Sequence, residues 1–193
     1  MSATNRGAER REHDFYSTPE WCTKALFQHV DELRTRPVLD PCAGDGAILN
    51  VARAYRLETH GIELRDVPKP IGVQAWSPSC DALELARNLS GVGRSPYRDC
   101  NLVTNPPYSL AQDFIDAWRD KARLSAWLLR LNFLGSQKRA AWLRACPPSR
   151  VLILPRRPSF TGGATDSCEY AWMIWDSQDP APKAQIEWLE VVS

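Results

Sequence analysis

The sequence predicts an α/β protein with a Rossmann-like, mostly parallel sheet covered by helices on both faces. Three observations carry that expectation. Short apolar runs alternate with helical segments along the chain, which is the pattern of strands joined by crossover helices. Glycines sit in the turn directly after the first apolar run, in "DPCAGDG", and a carboxylate, Glu63, closes the second, in "GIELR". Open sheets of this kind bind ligands at that carboxyl edge.

The elements follow in order. Residues 1 to 13, in "MSATNRGAERREHD", are polar and charged and read as a flexible tail ahead of a single domain at 14 to 193. "STPEWCTKALFQHVDEL" predicts a helix with Thr18 as N-cap and Pro19 at its first position. "PVLDPCAGDGAILNVARAY" predicts a short buried strand, a glycine turn and a helix starting near Gly46. "THGIELR" is a second strand, "VPKPIGVQAWSPS" a proline-containing excursion, and "DALELARNL" a helix for which Asp81 suits the cap. Further strands are expected near 99–104, 124–131, 150–154 and 169–175, with helices near 109–120 and 136–145. "LPRRPSFTGGATDSCEY" reads as a loop leading into an edge strand, and "AQIEWLEVV" as one more strand.

Composition admits an enzyme without demanding one. With 193 residues the chain fits one domain with a sizeable core. It has no apolar run long enough for a membrane span, and its first residues are not signal-like. The six cysteines form no CxxC or Cys/His pairing, so neither a metal site nor a disulfide framework is expected, and a reducing cytoplasm is the natural compartment. Trp76, Trp118, Trp127, Trp142, Trp172, Trp175 and Trp188 are assigned mainly to packing. Charge is uneven. Residues 119 to 157 hold ten Lys or Arg against Asp120 alone, a net of +9 that leaves about −8 elsewhere. One basic face, as nucleic-acid binders present, is the expectation; solvated helix faces are the alternative.

The turn at Asp40 to Gly46 carries the first chemical clue. Its glycines allow close backbone approach to a ligand, and Glu63, seventeen residues beyond Gly46, stands where such folds hydrogen-bond ribose hydroxyls. Leu49 occupies the place of the third glycine of a dinucleotide fingerprint, which weighs against a pyrophosphate-bearing cofactor. A nucleoside cofactor without phosphates fits better, and S-adenosylmethionine is the common one.

In the order "FYSTP", "DPCAGDG", "GIEL", "CDALEL", "NPPY" and "RPSFTGG" with "EYAWMIW", the chain resembles the S-adenosylmethionine-dependent, amino-group DNA methyltransferases that act on adenine, over roughly residues 14 to 175. Its compactness is similar to that of phage-encoded members. "NPPY" alone also occurs in methyltransferases of RNA and of protein glutamine. The resemblance implies a Rossmann-like class I methyltransferase fold. It also implies that Phe15, Tyr16, Ser17, Thr18 and Pro19 close over the methionine end of the cofactor. Asp40, Ala43, Gly44 and Gly46 would line its methionine and ribose side, Glu63 would take the ribose hydroxyls, and Asp81 with the Ala82 backbone would hold its adenine amine.

The corner "TNPPYS" makes chemical sense on this footing. An exocyclic amine conjugated with a purine is a poor nucleophile because its lone pair is delocalised into the ring. Acceptors aimed at its hydrogens favour a pyramidal nitrogen and free that pair; the Asn105 side-chain oxygen would take one hydrogen and the Pro106 carbonyl the other. Pro106 and Pro107 stiffen the corner, and Tyr108 would stack on a flipped adenine. Phe160 is the expected second wall opposite Tyr108, with Arg156 and Arg157 placed to meet DNA phosphates.

The chain differs from larger members of the family in having too few residues around "NPPY" or after "EYAWMIW" for a separate target-recognition domain. Sequence recognition then falls to short loops or a protein partner. Two other readings remain open: an RNA or protein-glutamine methyltransferase with the same clamp, and a catalytically silent nucleic-acid-binding module.

Overall fold

A computed structural model describes residues 16–89, 95–160, 165–179 and 183–191. The expected tail at 1–13 and Phe15 lie outside the described residues. The strands are Val38–Asp40 (β1), Thr59–Ile62 (β2), Ala75–Ser77 (β3), Asn101–Thr104 (β4), Leu124–Arg130 (β5), Arg150–Ile153 (β6), Tyr170–Asp176 (β7) and Gln185–Trp188 (β8). The helices are Glu20–His29 (α1), Ala47–Ala54 (α2), Ala82–Leu89 (α3), Ala111–Trp118 (α4) and Ala140–Ala145 (α5).

All eight strands join one sheet in the order β3-β2-β1-β4-β5-β7-β6-β8. Strands β3, β2, β1, β4 and β5 run parallel, β7 is antiparallel to both β5 and β6, and β8 pairs parallel with β6. The chain winds from β1 outward to β3 and then returns to lay β4 on the other side of β1. That reversal opens a crevice beyond the carboxyl ends of β1 and β4.

Alternation along the strands divides the core into two layers. Val38, Val103, Ala126, Leu128 and Trp172 face the side covered by Leu26 and Phe27 of α1 and Leu49 of α2. Leu39, Leu102, Trp127, Leu129 and Met173 face Ala86 of α3 and Ile115 and Trp118 of α4. Two buried indoles also bind backbone, so each supplies apolar area without stranding its N–H. Trp118 Nε1 donates to the Ala82 carbonyl at 3.0 Å, and Trp172 Nε1 to the Cys22 carbonyl at 2.9 Å.

Four expectations are corrected. Strand β3 lies in what the sequence presents as an irregular excursion; it is three residues long, mostly exposed, and lacks the apolar run that marks a strand. Strand β7 is interior rather than an edge, which explains its unbroken apolar "YAWMIW". Pro19, not Thr18, holds the N-cap position of α1, and no side chain caps that helix. Trp188 packs against little: it is 69% exposed on edge strand β8, beside Ile186 at 56%. The other six tryptophans assigned to packing are buried or half-buried.

Candidate active site

The crevice is a cleft of about 370 Å³ above β1, β2 and β4. The turn after β1 forms its floor. Cys42 N–H donates to Asp40 Oδ1 at 3.0 Å, Ala43 N–H to the Ile62 carbonyl at 2.9 Å, and Gly46 N–H to the Ala43 carbonyl at 2.7 Å. Gly44 and Gly46 have φ of +60° and +80°. A Cβ on Gly46 would lie 2.8 Å from Pro70 Cγ, so both conformation and space require glycine there.

Glu63, at the tip of β2, ties this turn to the sheet. Its Oε2 accepts from Gly44 N–H at 2.7 Å, and its Oε1 accepts from the Arg65 backbone at 3.0 Å and Arg65 Nε at 2.7 Å. One lone pair remains on Oε2 for a ligand hydroxyl. Asp81 accepts from the Leu83 and Glu84 amides at 2.8 and 3.2 Å, so it caps α3 while lining the cleft. Capping and ligand contact are compatible because the N-terminus of α3 faces the cleft.

Asp40 is the most deeply placed carboxylate, at 1% exposure. Burial first, then the neighbouring Glu63 and Asp45 charges, push its carboxyl up to about 7, against hydrogen bonds from Thr104 Oγ1 at 2.6 Å and the Cys42 amide. Asp40, Asp45, Glu63 and Asp81 together make one end of the cleft acid-rich, and Arg65 there is engaged by Glu63. A cationic ligand suits this end. Cys42 also lines it, but burial pushes its thiol well up and leaves no nucleophilic thiolate.

At the other end, β4 delivers Asn105 into the cleft. The amide nitrogen donates to Thr18 Oγ1 at 3.1 Å, which orients the group, and Oδ1 is buried without a hydrogen-bond partner. A buried acceptor without a donor is costly unless a ligand completes it. Pro106 is buried and Pro107 accepts from Leu110 N–H at 2.9 Å, so the corner is held on both sides. Tyr108 follows, its ring 5.7 Å from that of Tyr170.

The cleft therefore gathers Tyr16, Ser17, Thr18, Asp40, Ala43, Gly44, Glu63, Asp81, Ala82, Asn105, Pro106, Pro107 and Tyr108 from the sequence-predicted set. Pro19 and Gly46 do not line it. Three candidates are placed differently. The Phe160 ring packs at 5.2 Å on Tyr170 and 6.2 Å on Tyr16, so Tyr170, not Phe160, adjoins Tyr108. Arg156 lies 4.6 Å over the Trp21 ring, and Arg157 Nε donates to Glu169 at 3.0 Å; neither lines the cleft.

Half of the basic residues of the 119–157 segment are paired with acids from elsewhere in the chain. Arg119 pairs with Asp116, Arg123 with Asp176, Arg130 with Asp166 and Arg150 with Glu187. The antiparallel register of β5 and β7 brings Asp176 to Arg123, Glu187 reaches Arg150 from β8, and Asp116 stands one helical turn before Arg119, so the sequence-level excess of +9 is partly offset by acids from outside the segment. Sequence reasoning missed Thr104, Arg65 and Arg130 as site residues. Thr104 was signalled only by standing directly before the Asn-Pro-Pro corner.

Among the described residues no group of three or more His, Cys, Asp or Glu could hold a metal ion, and no helix is long and apolar enough to cross a membrane. All six cysteines are free.

No protein-family model and no curated protein matches the sequence. Solved structures do match the fold. One is a modification subunit assigned to a type I restriction enzyme of Vibrio vulnificus YJ016, with a TM-score of 0.62 and 16% identity over 92% of this chain; the chain spans 46% of that subunit's length. A second is assigned as a class I S-adenosylmethionine-dependent methyltransferase of Listeria monocytogenes, with a TM-score of 0.62, 12% identity, and coverage of 95% of this chain and 68% of that one. A third, assigned as an RNA methyltransferase of Pyrococcus horikoshii, has a TM-score of 0.56 and 11% identity over 88% of this chain and 90% of its own. Strand order, the reversal at β1 and these likenesses agree: the chain has the Rossmann-like class I methyltransferase fold.

Proposed function

We propose that this protein transfers a methyl group from S-adenosylmethionine to the exocyclic N6 amine of adenine in DNA. The observation that carries the reading is Asn105: an amide pinned through its nitrogen by Thr18, with a buried oxygen lacking a donor, on a two-proline corner at the cleft. Such an oxygen is completed by an N–H, and an amine with two hydrogens supplies one.

The residues fit the cofactor. The acid-rich end of the cleft suits its positive charges, and Glu63 Oε2 keeps a lone pair for the ribose. Tyr16 to Thr18 stand at the cleft wall to close over it. When bound, S-adenosylmethionine supplies an electrophilic methyl group. Asn105 Oδ1 and the Pro106 carbonyl accept the two amine hydrogens, hold the nitrogen lone pair out of ring conjugation, and stabilise the positive charge that builds on nitrogen as its new bond forms. The surplus amine proton then leaves to solvent. Tyr108 retains the extruded base by stacking, since chemistry on a duplex base requires that the base leave the stack.

The likeness to a restriction-modification subunit supports DNA as substrate and a partner subunit for target recognition. RNA stays as the second reading because of the Pyrococcus likeness. Incubation with labelled S-adenosylmethionine and separate DNA, RNA and protein pools, followed by nucleoside and amino-acid analysis, tests it. N6-methyladenine in DNA is expected. Label confined to RNA or to glutamine would replace the proposal.

A further inference from the structure

Arg130, Asp166 and Tyr170 form a cluster at the Tyr108 end of the cleft that takes no part in the chemistry above. Arg130 closes β5, and antiparallel register sets it opposite Tyr170 at the start of β7. Arg130 Nε donates to the Tyr170 phenol oxygen at 2.9 Å and Nη2 to Asp166 Oδ2 at 3.1 Å; the Tyr170 hydroxyl donates to the same Asp166 oxygen at 2.7 Å. Three contacts among three side chains fix the plane of the guanidinium. Its carbon lies 5.0 Å from the Tyr108 ring centroid, and Arg130 lines the cleft.

Nη1 has no hydrogen-bond partner among the described residues. A guanidinium only donates, so what Nη1 lacks is an acceptor. A base held against the Tyr108 ring would lie within reach of this group. The acceptors that a DNA strand carrying adenine brings include phosphate oxygens and the ring nitrogens of the base. The Asp166 carboxylate beside Arg130 already balances its charge and would repel a phosphate. Burial alone would raise that carboxyl, but hydrogen bonds from Tyr170 and Arg130 and the arginine's charge outweigh it and hold it below the usual range. A neutral ring nitrogen meets no such opposition.

We propose that Arg130 binds the target base itself, donating from Nη1 to an acceptor ring nitrogen on the base's edge, with Asp166 and Tyr170 as positioning residues that aim the guanidinium. The assignment deepens the reading under Proposed function and rests on it. It gives the cleft a means of choosing among bases that does not depend on the amine clamp.

The test uses the full chain and a DNA oligonucleotide carrying, at the target position, adenine or its 1-deaza, 3-deaza or 7-deaza analogue, each lacking one ring acceptor. Wild-type methylation of unmodified adenine tests the parent reading separately; its absence from every adenine-containing substrate ends both. One analogue is expected to lower wild-type kcat/KM by roughly 10-fold, the cost of a lost base-edge hydrogen bond. Arg130→Met, which keeps the aliphatic stem, is expected to treat that analogue and adenine alike. Arg130→Lys serves if the Met variant fails to fold, and is expected to discriminate less well than wild type because it lacks the planar fork. Asp166→Asn is expected to blunt discrimination while leaving cofactor affinity unchanged. A uniform loss on all four bases in the Arg130 variants would assign the residue to phosphate or to the fold and overturn the proposal. So would discrimination equal to wild type.

Discussion

The two ends of the cleft are built from different materials. The turn end is made of backbone and carboxylates close together in sequence, with Asp40, Gly44 and Glu63 bound into one loop-and-strand unit. The clamp end is made of side chains brought from far apart: Asn105 meets Thr18 across 87 positions, and Arg130 meets Tyr170 across 40. One end offers negative charge and hydroxyl acceptors; the other offers an unsatisfied oxygen, flat rings and a cation. A ligand carrying positive charge and a planar base therefore have separate places, and the cleft has a direction.

Changes at the clamp end should act on turnover more than on binding. Asn105→Ala is expected to cost the most, on the order of 10²- to 10³-fold in methyl transfer with the fold and most cofactor affinity retained, as for loss of one preorganised transition-state partner. Turnover on adenine-containing DNA, with thermal unfolding as control, is the measurement, and a wild-type rate would remove the clamp. Thr18→Val should produce a smaller loss in kcat, roughly 10-fold, because Asn105 keeps its oxygen but loses the contact that aims it. Tyr108→Phe should be milder than Tyr108→Ala, since stacking survives loss of the hydroxyl.

Changes at the turn end should act on affinity. Glu63→Ala leaves the Gly44 amide and Arg65 without their acceptor and is expected to weaken S-adenosylmethionine and S-adenosylhomocysteine binding by about 10-fold or more, the scale of a charged hydrogen bond. Calorimetry reads this directly, and unchanged affinity would take Glu63 out of the site.

Asp40 supplies a pH signature confined to the same end. Its folded carboxyl titrates at about 7 while an unfolded one titrates near ~4, so between those values the folded protein holds a proton that the unfolded chain has released. Stability from this group falls as pH rises through that window. Thermal unfolding of wild type and Asp40→Asn should diverge from pH 5 to pH 8, wild type losing ground; parallel curves would show that Asp40 is ionised throughout. The smallest expected effect belongs to Arg156→Ala with Arg157→Ala. With Arg157 bound to Glu169 and Arg156 over Trp21, the pair should change the salt slope of DNA binding by about 1 rather than 2.

Which features the sequence disclosed follows from the same contrast. Asp40 to Gly46, Glu63, Asp81 and Asn105 to Tyr108 were legible because each is a local pattern at a strand end, where spacing and turn chemistry are enough. Thr18 was legible as a cleft residue but not in its contact: a Thr-Pro pair signals a cap, while the fold gives the cap to Pro19 and turns the Thr18 hydroxyl to Asn105. Arg130 could not be found, because its meaning comes from a register between β5 and β7 that no local pattern encodes. Asp176, the partner of Arg123, was hidden for the same reason. Strand β3 escaped notice because an exposed three-residue edge needs no apolar run.

The hydrogen bond from Thr104 to Asp40 joins these two ends, since Thr104 immediately precedes Asn105 and Asp40 opens the glycine turn. A cation settling at the turn favours the ionised form of Asp40, which strengthens its hold on the Thr104 hydroxyl and steadies the strand end from which Asn105 projects. Such a connection works in both directions by thermodynamic necessity. Whatever factor the first ligand contributes to the second one's affinity, the second must return to the first, so an oligonucleotide with an extrudable adenine should tighten S-adenosylhomocysteine by the same ratio that S-adenosylhomocysteine tightens the oligonucleotide.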